Sequence, residues 1–141
     1  MNKITPVINM DGQCEEAIHY YEYVFSTKAD FILHYSDAKK EDFSIELTEE
    51  QKKYVYHCEM TICNQRFMFS DIVAFEIVKG NNLFCVITCD TKQEVEDIYR
   101  RIVKDSKILI PLHETTYSSA TVNLIDKYGL RWAIMTEGNN Q

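Results

Sequence analysis

The feature that most constrains this chain is an order of elements that occurs twice. The stretch MDGQCEEAIHYYEYVF places Cys14, Ala17/Ile18, Tyr21 and Val24/Phe25 at helical spacing, and CDTKQEVEDIYRRIV does the same with Val95, Ile98/Tyr99 and Ile102/Val103. One strand-like apolar run precedes each helix: Ile4 to Met10 before the first, Leu83 to Cys89 before the second. Three such runs follow each. They are Ala29 to Tyr35, Tyr54 to Ile62 and Arg66 to Phe69 in the first half, then Lys107 to Leu112, Ala120 to Ile125 and Arg131 to Thr136 in the second. A recurring supersecondary unit dictates architecture, because one copy alone cannot bury its apolar face. The expected fold class is therefore α+β, built from two βαβββ modules at about 1–75 and 81–137 within a single domain spanning 1–141.

Local signals support these boundaries. Asp11-Gly12 ends the first strand, and Glu15 and Glu16 suit the positive end of the following helix dipole. Thr91 with Glu94 makes a capping box for the second helix. A hairpin is expected around Cys63-Asn64-Gln65, and a turn at Asp126-Lys127-Tyr128-Gly129. The polar segment from Ser36 to Lys53 reads as an excursion with one helical turn near Thr48 to Gln51, and Ser70 to Gly80 as a loop linking the halves.

Composition narrows the function classes. With 15 Lys and Arg against 22 Asp and Glu, the net charge is −7, and the basic residues form only short pairs such as Lys39-Lys40 and Arg100-Arg101. Phosphate-rich partners need clustered cations, so neither nucleic acid nor a membrane surface is an expected partner. No apolar stretch approaches the roughly 20 residues of a spanning helix, and the N-terminal MNKITPVINMDG lacks a signal-peptide core. Five cysteines, at 14, 58, 63, 85 and 89, show no zinc spacing. Four of them, Cys58, Cys63, Cys85 and Cys89, fall in apolar runs as buried small hydrophobes would. A reducing, cytoplasmic location is expected.

Three segments, PVINMDGQCEEAIHYYEYVF, HCEMTICNQRFMFSD and ILIPLHETTY with DKYGLRW, resemble in order and spacing the PhnB-like proteins of the vicinal-oxygen-chelate superfamily. That superfamily includes glyoxalase I, bleomycin-resistance proteins and extradiol dioxygenases. The similarity spans nearly the whole chain. It implies the glyoxalase/bleomycin-resistance/dioxygenase fold, in which paired modules form an open cup-shaped mixed sheet, and it implies a homodimer with small-molecule pockets. Many such sequences carry a demethylubiquinone methyltransferase label. The Gly-rich strand-to-helix turn that usually holds a methyl donor is missing, so typical S-adenosylmethionine chemistry is not expected.

Metal-dependent relatives take one ligand from the first and one from the last strand of each module. Threading puts Pro6, Glu59, Phe84 and Ala133 at those places. Three of the four have no donor atom, so no metal and no cofactor is expected, nor glyoxalase or dioxygenase activity.

His57 and Glu59 project from one face of a strand, where they suit a general base with its orienting partner, or a ligand anchor. The bland reading is a mutually satisfied polar pair. If the pair is enzymatic, both side chains should reach one small-molecule space and the Glu59 carboxyl should be raised by burial. Candidate ligand-binding positions are Met10, Phe69, Asp71, Tyr117 and Trp132. For Asp71 the plain alternative is a strand-ending cap, and for Trp132 a place in the core. Cys14 lies near a helix start, which lowers a thiol's pKa if it is exposed and reads as structural if it is buried. His19 and His34 have no partner legible in sequence, while His113 beside Glu114 repeats the His/Glu theme more weakly, with a solvated loop pair as the plain alternative.

Three functions follow. The first is metal-free binding of a small molecule in the cup or at the dimer interface, of the resistance or sequestration type. The second is a metal-independent isomerase or lyase using His57 and Glu59. The third is an interaction domain without a pocket.

Overall fold

The computed structural model describes residues 1–138. The chain divides into two units, Met1–Val78 and Lys79–Gln141.

The first unit runs β1 (Val7–Met10), α1 (Cys14–Phe25), β2 (Ala29–His34), β3 (Val55–Ile62) and β4 (Gln65–Asp71). Its sheet has the order β1-β4-β3-β2, with β1 parallel to β4 and the other pairs antiparallel. The sequence-derived bounds of the first helix agree with α1 at both ends. On the side facing α1, Phe67, Phe69, Cys58 and Met60 are buried, and Phe69 stacks on Tyr21 with ring centroids 5.8 Å apart.

α1 lacks a side-chain cap at Gln13. Its orphan amides are instead taken by a residue far along the chain. Asp71 Oδ1 accepts from Gly12 N (2.7 Å) and Cys14 N (3.1 Å), and Oδ2 accepts from Val55 N (3.0 Å). The end of β4 thereby ties down the start of both α1 and β3. Gly12 has a φ of +92°, and a Cβ there would meet the Tyr54 ring at 2.8 Å, so the Asp-Gly turn admits no side chain.

The β3–β4 turn is tighter than the sequence suggests. Ile62 pairs with Gln65, leaving only Cys63 (φ 48°) and Asn64 (φ 67°) between the strands, both left-handed as a type I′ turn requires. Gln65 belongs to the strand. Cys63 is exposed at the turn, not buried in a strand, because the two-residue loop pushes it out of the ladder. The excursion after β2 contains three single 3-10 turns, at Tyr35–Asp37, Lys40–Asp42 and Gln51–Lys53.

The second unit repeats the plan: β5 (Cys85–Cys89), α2 (Lys92–Ile102), β6 (Lys107–Thr115), β7 (Ser118–Ile125) and β8 (Arg131–Thr136), in the order β5-β8-β7-β6. The Thr91/Glu94 capping box is present. β6 extends three residues past the expected Leu112, through its pairing with β7.

The repeat holds residue by residue. One cross-strand row of the first sheet is Val7, Met68, Glu59, Phe31; the matching row of the second is Val86, Ala133, Asn123, Ile110. Each outer strand has a register shift just before the row, between Ala29 and Phe31 and between Ile108 and Ile110. Asp71 also has its counterpart, since both Asp71 and Thr136 close the last strand of their sheet. Thr136 Oγ1 accepts from Ser119 N at the start of β7 (2.9 Å), as Asp71 accepts from Val55 at the start of β3.

Candidate functional site: a clamped carboxylate on the open face of the first sheet

The side of the first sheet turned away from α1 carries the row Val7, Met68, Glu59, Phe31, with His57 and Arg66 on either side of Glu59. Alternation along β3 puts His57 and Glu59 on this face and buries Cys58 and Met60 on the other, as the two-residue period of a strand dictates.

The polar groups form one network. His57 Nε2 lies 2.7 Å from Glu59 Oε2. Arg66 donates from Nε to Glu59 Oε1 at 3.0 Å, and a terminal guanidinium nitrogen bonds the same oxygen. The Phe31 ring lies 5.7 Å from the imidazole. Arg66 pairs with Thr61, two residues beyond Glu59, so it reaches the carboxylate diagonally across the hairpin. Both carboxylate oxygens are engaged. Their hydrogen bonds, first from His57 and then from Arg66, hold the Glu59 carboxyl below its ordinary value near 4.5. The raised carboxyl expected of an enzymatic pair is therefore corrected: the Glu59 carboxyl is lowered, which suits an anchor or an orienting partner for His57 and not a proton donor.

This shift has a testable pH dependence. A carboxyl lowered on folding contributes stability above its ordinary value near 4.5 and loses it as pH falls through the lower folded value. Glu59→Gln is expected to flatten that acid limb of the stability curve, and carboxyl NMR should show Glu59 titrating below 4.5. Titration at or above that value would mean the clamp does not form in solution.

Sequence reasoning did not find Arg66. Its signal lay in the turn length: a two-residue loop, not a three-residue one, puts Arg66 on the face of Glu59. The matching position of the second sheet holds another missed residue, Arg131. Its Nε and a terminal nitrogen donate to Asn123 Oδ1 (3.3 and 2.9 Å), another donates to the Asn81 carbonyl (2.9 Å), and the guanidinium lies 3.6 Å from the Phe84 ring centroid.

The other expected site residues lie elsewhere. Met10 and Phe69 are buried on the α1 side of the first sheet, where Asp71 holds three backbone amides. Trp132 is buried in the second unit, its indole N–H donating to Asp126 Oδ2 at 2.8 Å. Tyr117 is 62% exposed in the β6–β7 turn. Cys14 is buried, and burial with the nearby Asp71 charge pushes its thiol pKa up, opposite to the helix-dipole expectation. Cys58 is likewise pushed up, to about 12, chiefly by burial. His19 meets Glu22 (2.9 Å), His34 meets Glu15 (2.6 Å), and His113 Nδ1 lies 2.7 Å from the Pro111 carbonyl oxygen rather than pairing with Glu114. Two cavities of the first unit, about 470 and 580 Å³, are bordered by residues from 35–56 and 72–77, the second also by Asp11, and by neither His57 nor Glu59.

A family model described as 3-demethylubiquinone-9 3-methyltransferase matches residues 2–135. The chain belongs to that PhnB-like family. Among solved structures, a putative 3-demethylubiquinone-9 3-methyltransferase, PhnB protein, from Bacillus cereus is 26% identical, with 96% of this chain and 99% of that one covered and a TM-score of 0.77. Protein PA1353 from Pseudomonas aeruginosa is 20% identical over 97% and 98%, with a TM-score of 0.83. A glyoxylase/bleomycin resistance protein/dioxygenase domain from Frankia sp. EAN1pec shares the fold at 6% identity over 97% and 98%, with a TM-score of 0.65. No curated protein matches. The expected α+β class with two βαβββ modules of the glyoxalase/bleomycin-resistance/dioxygenase type is thus observed, its strands forming two open four-stranded mixed sheets.

Some members of this fold hold a divalent ion, and the residues here do not fit one. The Pro6 carbonyl accepts from Met68 N (3.0 Å), Phe84 lies beneath Arg131, and Ala133 is a buried methyl; none of the three side chains bears a donor. Glu59 stands on β3 rather than on the last strand where the threading put it, and its oxygens are already bonded. Among the described residues no three His, Cys, Asp or Glu gather as a cation requires. No helix among them is long and apolar enough to cross a membrane.

Proposed function

We propose that this chain binds a small organic molecule without a metal ion, using the open face of the first sheet around Glu59. The observation that carries this reading is the clamped carboxylate itself. A preorganised polar network stands among Val7, Phe31, Leu33 and Met68, and such a mixture of apolar surface with a few fixed polar groups is how ligand sites are built. The ligand it suits has an aromatic or aliphatic body for Phe31 and Met68, and a carbonyl or hydroxyl group for the guanidinium and imidazole.

A sequestration or resistance role belongs to the same proposal. A fosfomycin resistance protein, FosX, from Listeria monocytogenes shares the fold at 7% identity, which supports the architecture and not the ligand. Action as a cytoplasmic homodimer, each chain one functional domain, completes the reading; light scattering of purified protein tests the dimer.

The 2.7 Å contact between His57 and Glu59 favours one second reading, a metal-independent isomerase or lyase. There the anionic Glu59 orients the imidazole through Nε2, and Nδ1 takes a substrate proton. Turnover lost in His57→Gln with binding retained would separate catalysis from binding.

The direct test is an NMR titration of EDTA-treated protein with benzamide and phenylacetate. Shifts should concentrate at Phe31, His57, Arg66 and Met68, and Arg66→Ala should weaken binding by about fivefold or more. Shifts scattered elsewhere, or none, would overturn the proposal and leave the interaction-domain reading. Stoichiometric zinc uptake with shifts at His57 and Glu59 would overturn the metal-free part.

A further inference from the structure

The polar excursion after β2 builds something the sheet face does not use. Its residues and the start of the segment after β4 enclose the cavity of about 470 Å³, a volume suited to a small organic ligand. One wall is aromatic. Tyr35, Phe43 and Tyr56 pack edge-on or tilted, with centroid separations of 5.0 Å for Tyr35–Tyr56, 5.5 Å for Tyr35–Phe43 and 6.1 Å for Phe43–Tyr56. Phe43 and Tyr56 are half-buried and keep ring surface open, whereas Tyr35 is buried.

Two carboxylates stand beside these rings, Glu41 and Asp42, and no Lys, Arg or His lines the cavity. Asp42 is held in place: the Tyr56 hydroxyl donates to its Oδ2 at 3.2 Å. Tyr35 is held too, its hydroxyl donating to the Asp71 carbonyl at 2.8 Å, so the aromatic wall hangs on the same residue that caps α1. The lining also includes the apolar side chains of Ile45 and Ile72.

We infer that this cleft is a binding site for a small organic cation, an alkylated or protonated amine with an apolar body. The chemistry follows from the walls. Ring faces attract a cation through their quadrupoles, most strongly a weakly hydrated one such as a quaternary ammonium. The two carboxylates add negative potential at the same mouth, and a concave, low-dielectric surface focuses it. An anion meets repulsion there with no donor side chain of positive charge to offset it. A neutral molecule of equal shape gains only the apolar wall. This cleft is separate from the Glu59 network, so the two proposals fail or stand independently.

Choline and its neutral isostere 3,3-dimethylbutan-1-ol test the inference on the full chain, by NMR titration of the tyrosine and phenylalanine ring signals. Choline should shift the signals of Tyr35, Phe43 and Tyr56, and should bind about tenfold more tightly than the isostere. Asp42→Asn and Phe43→Leu should each weaken choline by about fivefold. Glu49→Gln changes charge equally at a nearby exposed carboxylate outside the cleft, and should leave choline binding unchanged. Circular dichroism confirms that each variant is folded. Equal binding of choline and the isostere overturns the inference. So does a loss in Glu49→Gln as large as in Asp42→Asn, or the absence of ring shifts at about 10 mM choline.

Discussion

Asp71→Ala is expected to destabilise the protein by about 3 to 5 kcal/mol, a large part of the stability of a domain this size. The reason is that Asp71 is buried, and its carboxylate serves three backbone amides from two elements, Gly12 and Cys14 before and in α1 and Val55 in β3. Removing it leaves those donors without acceptors in a place that water does not reach freely, which costs their desolvation. The helix has no local cap to fall back on. Asp71→Asn is expected to cost about half as much, since one oxygen is kept while the new N–H₂ group faces a backbone N–H. Burial raises the Asp71 carboxyl against the lowering effect of these amides, so they do not offset the whole cost of burying the charge. A carboxyl raised on folding favours the folded state at low pH and loses that advantage as pH rises through its folded value, so Asp71 does not contribute to acid denaturation. Urea unfolding followed by circular dichroism measures the effect; a loss below about 1 kcal/mol in the alanine variant would show that the three bonds do not carry the junction.

The second large effect is at Trp132. Trp132→Ala is expected to cost about 3 to 5 kcal/mol through the cavity left in the second unit, and Trp132→Phe about 2 kcal/mol. The phenylalanine variant separates the two causes. It fills most of the volume but withdraws the indole N–H from Asp126, a buried carboxylate whose other oxygen already accepts from the Tyr128 and Leu130 amides. Trp132 is the sole tryptophan, so native fluorescence reports its surroundings directly. A blue-shifted emission that stays unchanged on adding fragment ligands fits a core residue. Quenching by those ligands would return Trp132 to the candidate binding positions.

The two arginines show why side-chain partners are harder to read than elements. Arg66 and Arg131 occupy the same lattice position of their sheets, each reaching the middle residue of the row, Glu59 in one and Asn123 in the other. Each pairing joins residues seven or eight positions apart across one hairpin, and each depends on strand register. One residue more or fewer in the β3–β4 turn would place Arg66 on the opposite face. The sequence reading allotted three residues to that turn and so missed the contact. It also expected a buried Cys63, from the apolar run that precedes the turn.

Periodicity by itself determined the order of strands and helices, the bounds of α1, the capped start of α2 and the division into two alike halves, because these depend on neighbours within a few positions. It also put His57 and Glu59 side by side, since alternation along one strand needs no knowledge of the rest. Only the tertiary structure decided that a carboxylate 57 residues distant caps α1, that Glu59 is held ionised by a cross-strand guanidinium, and that three rings and two acids surround a cleft. The cap and the cleft join residues far apart in the chain, set by which backbone amides lack partners once the sheet has formed; the clamp joins residues only seven apart, but it depends on the register that the turn length sets.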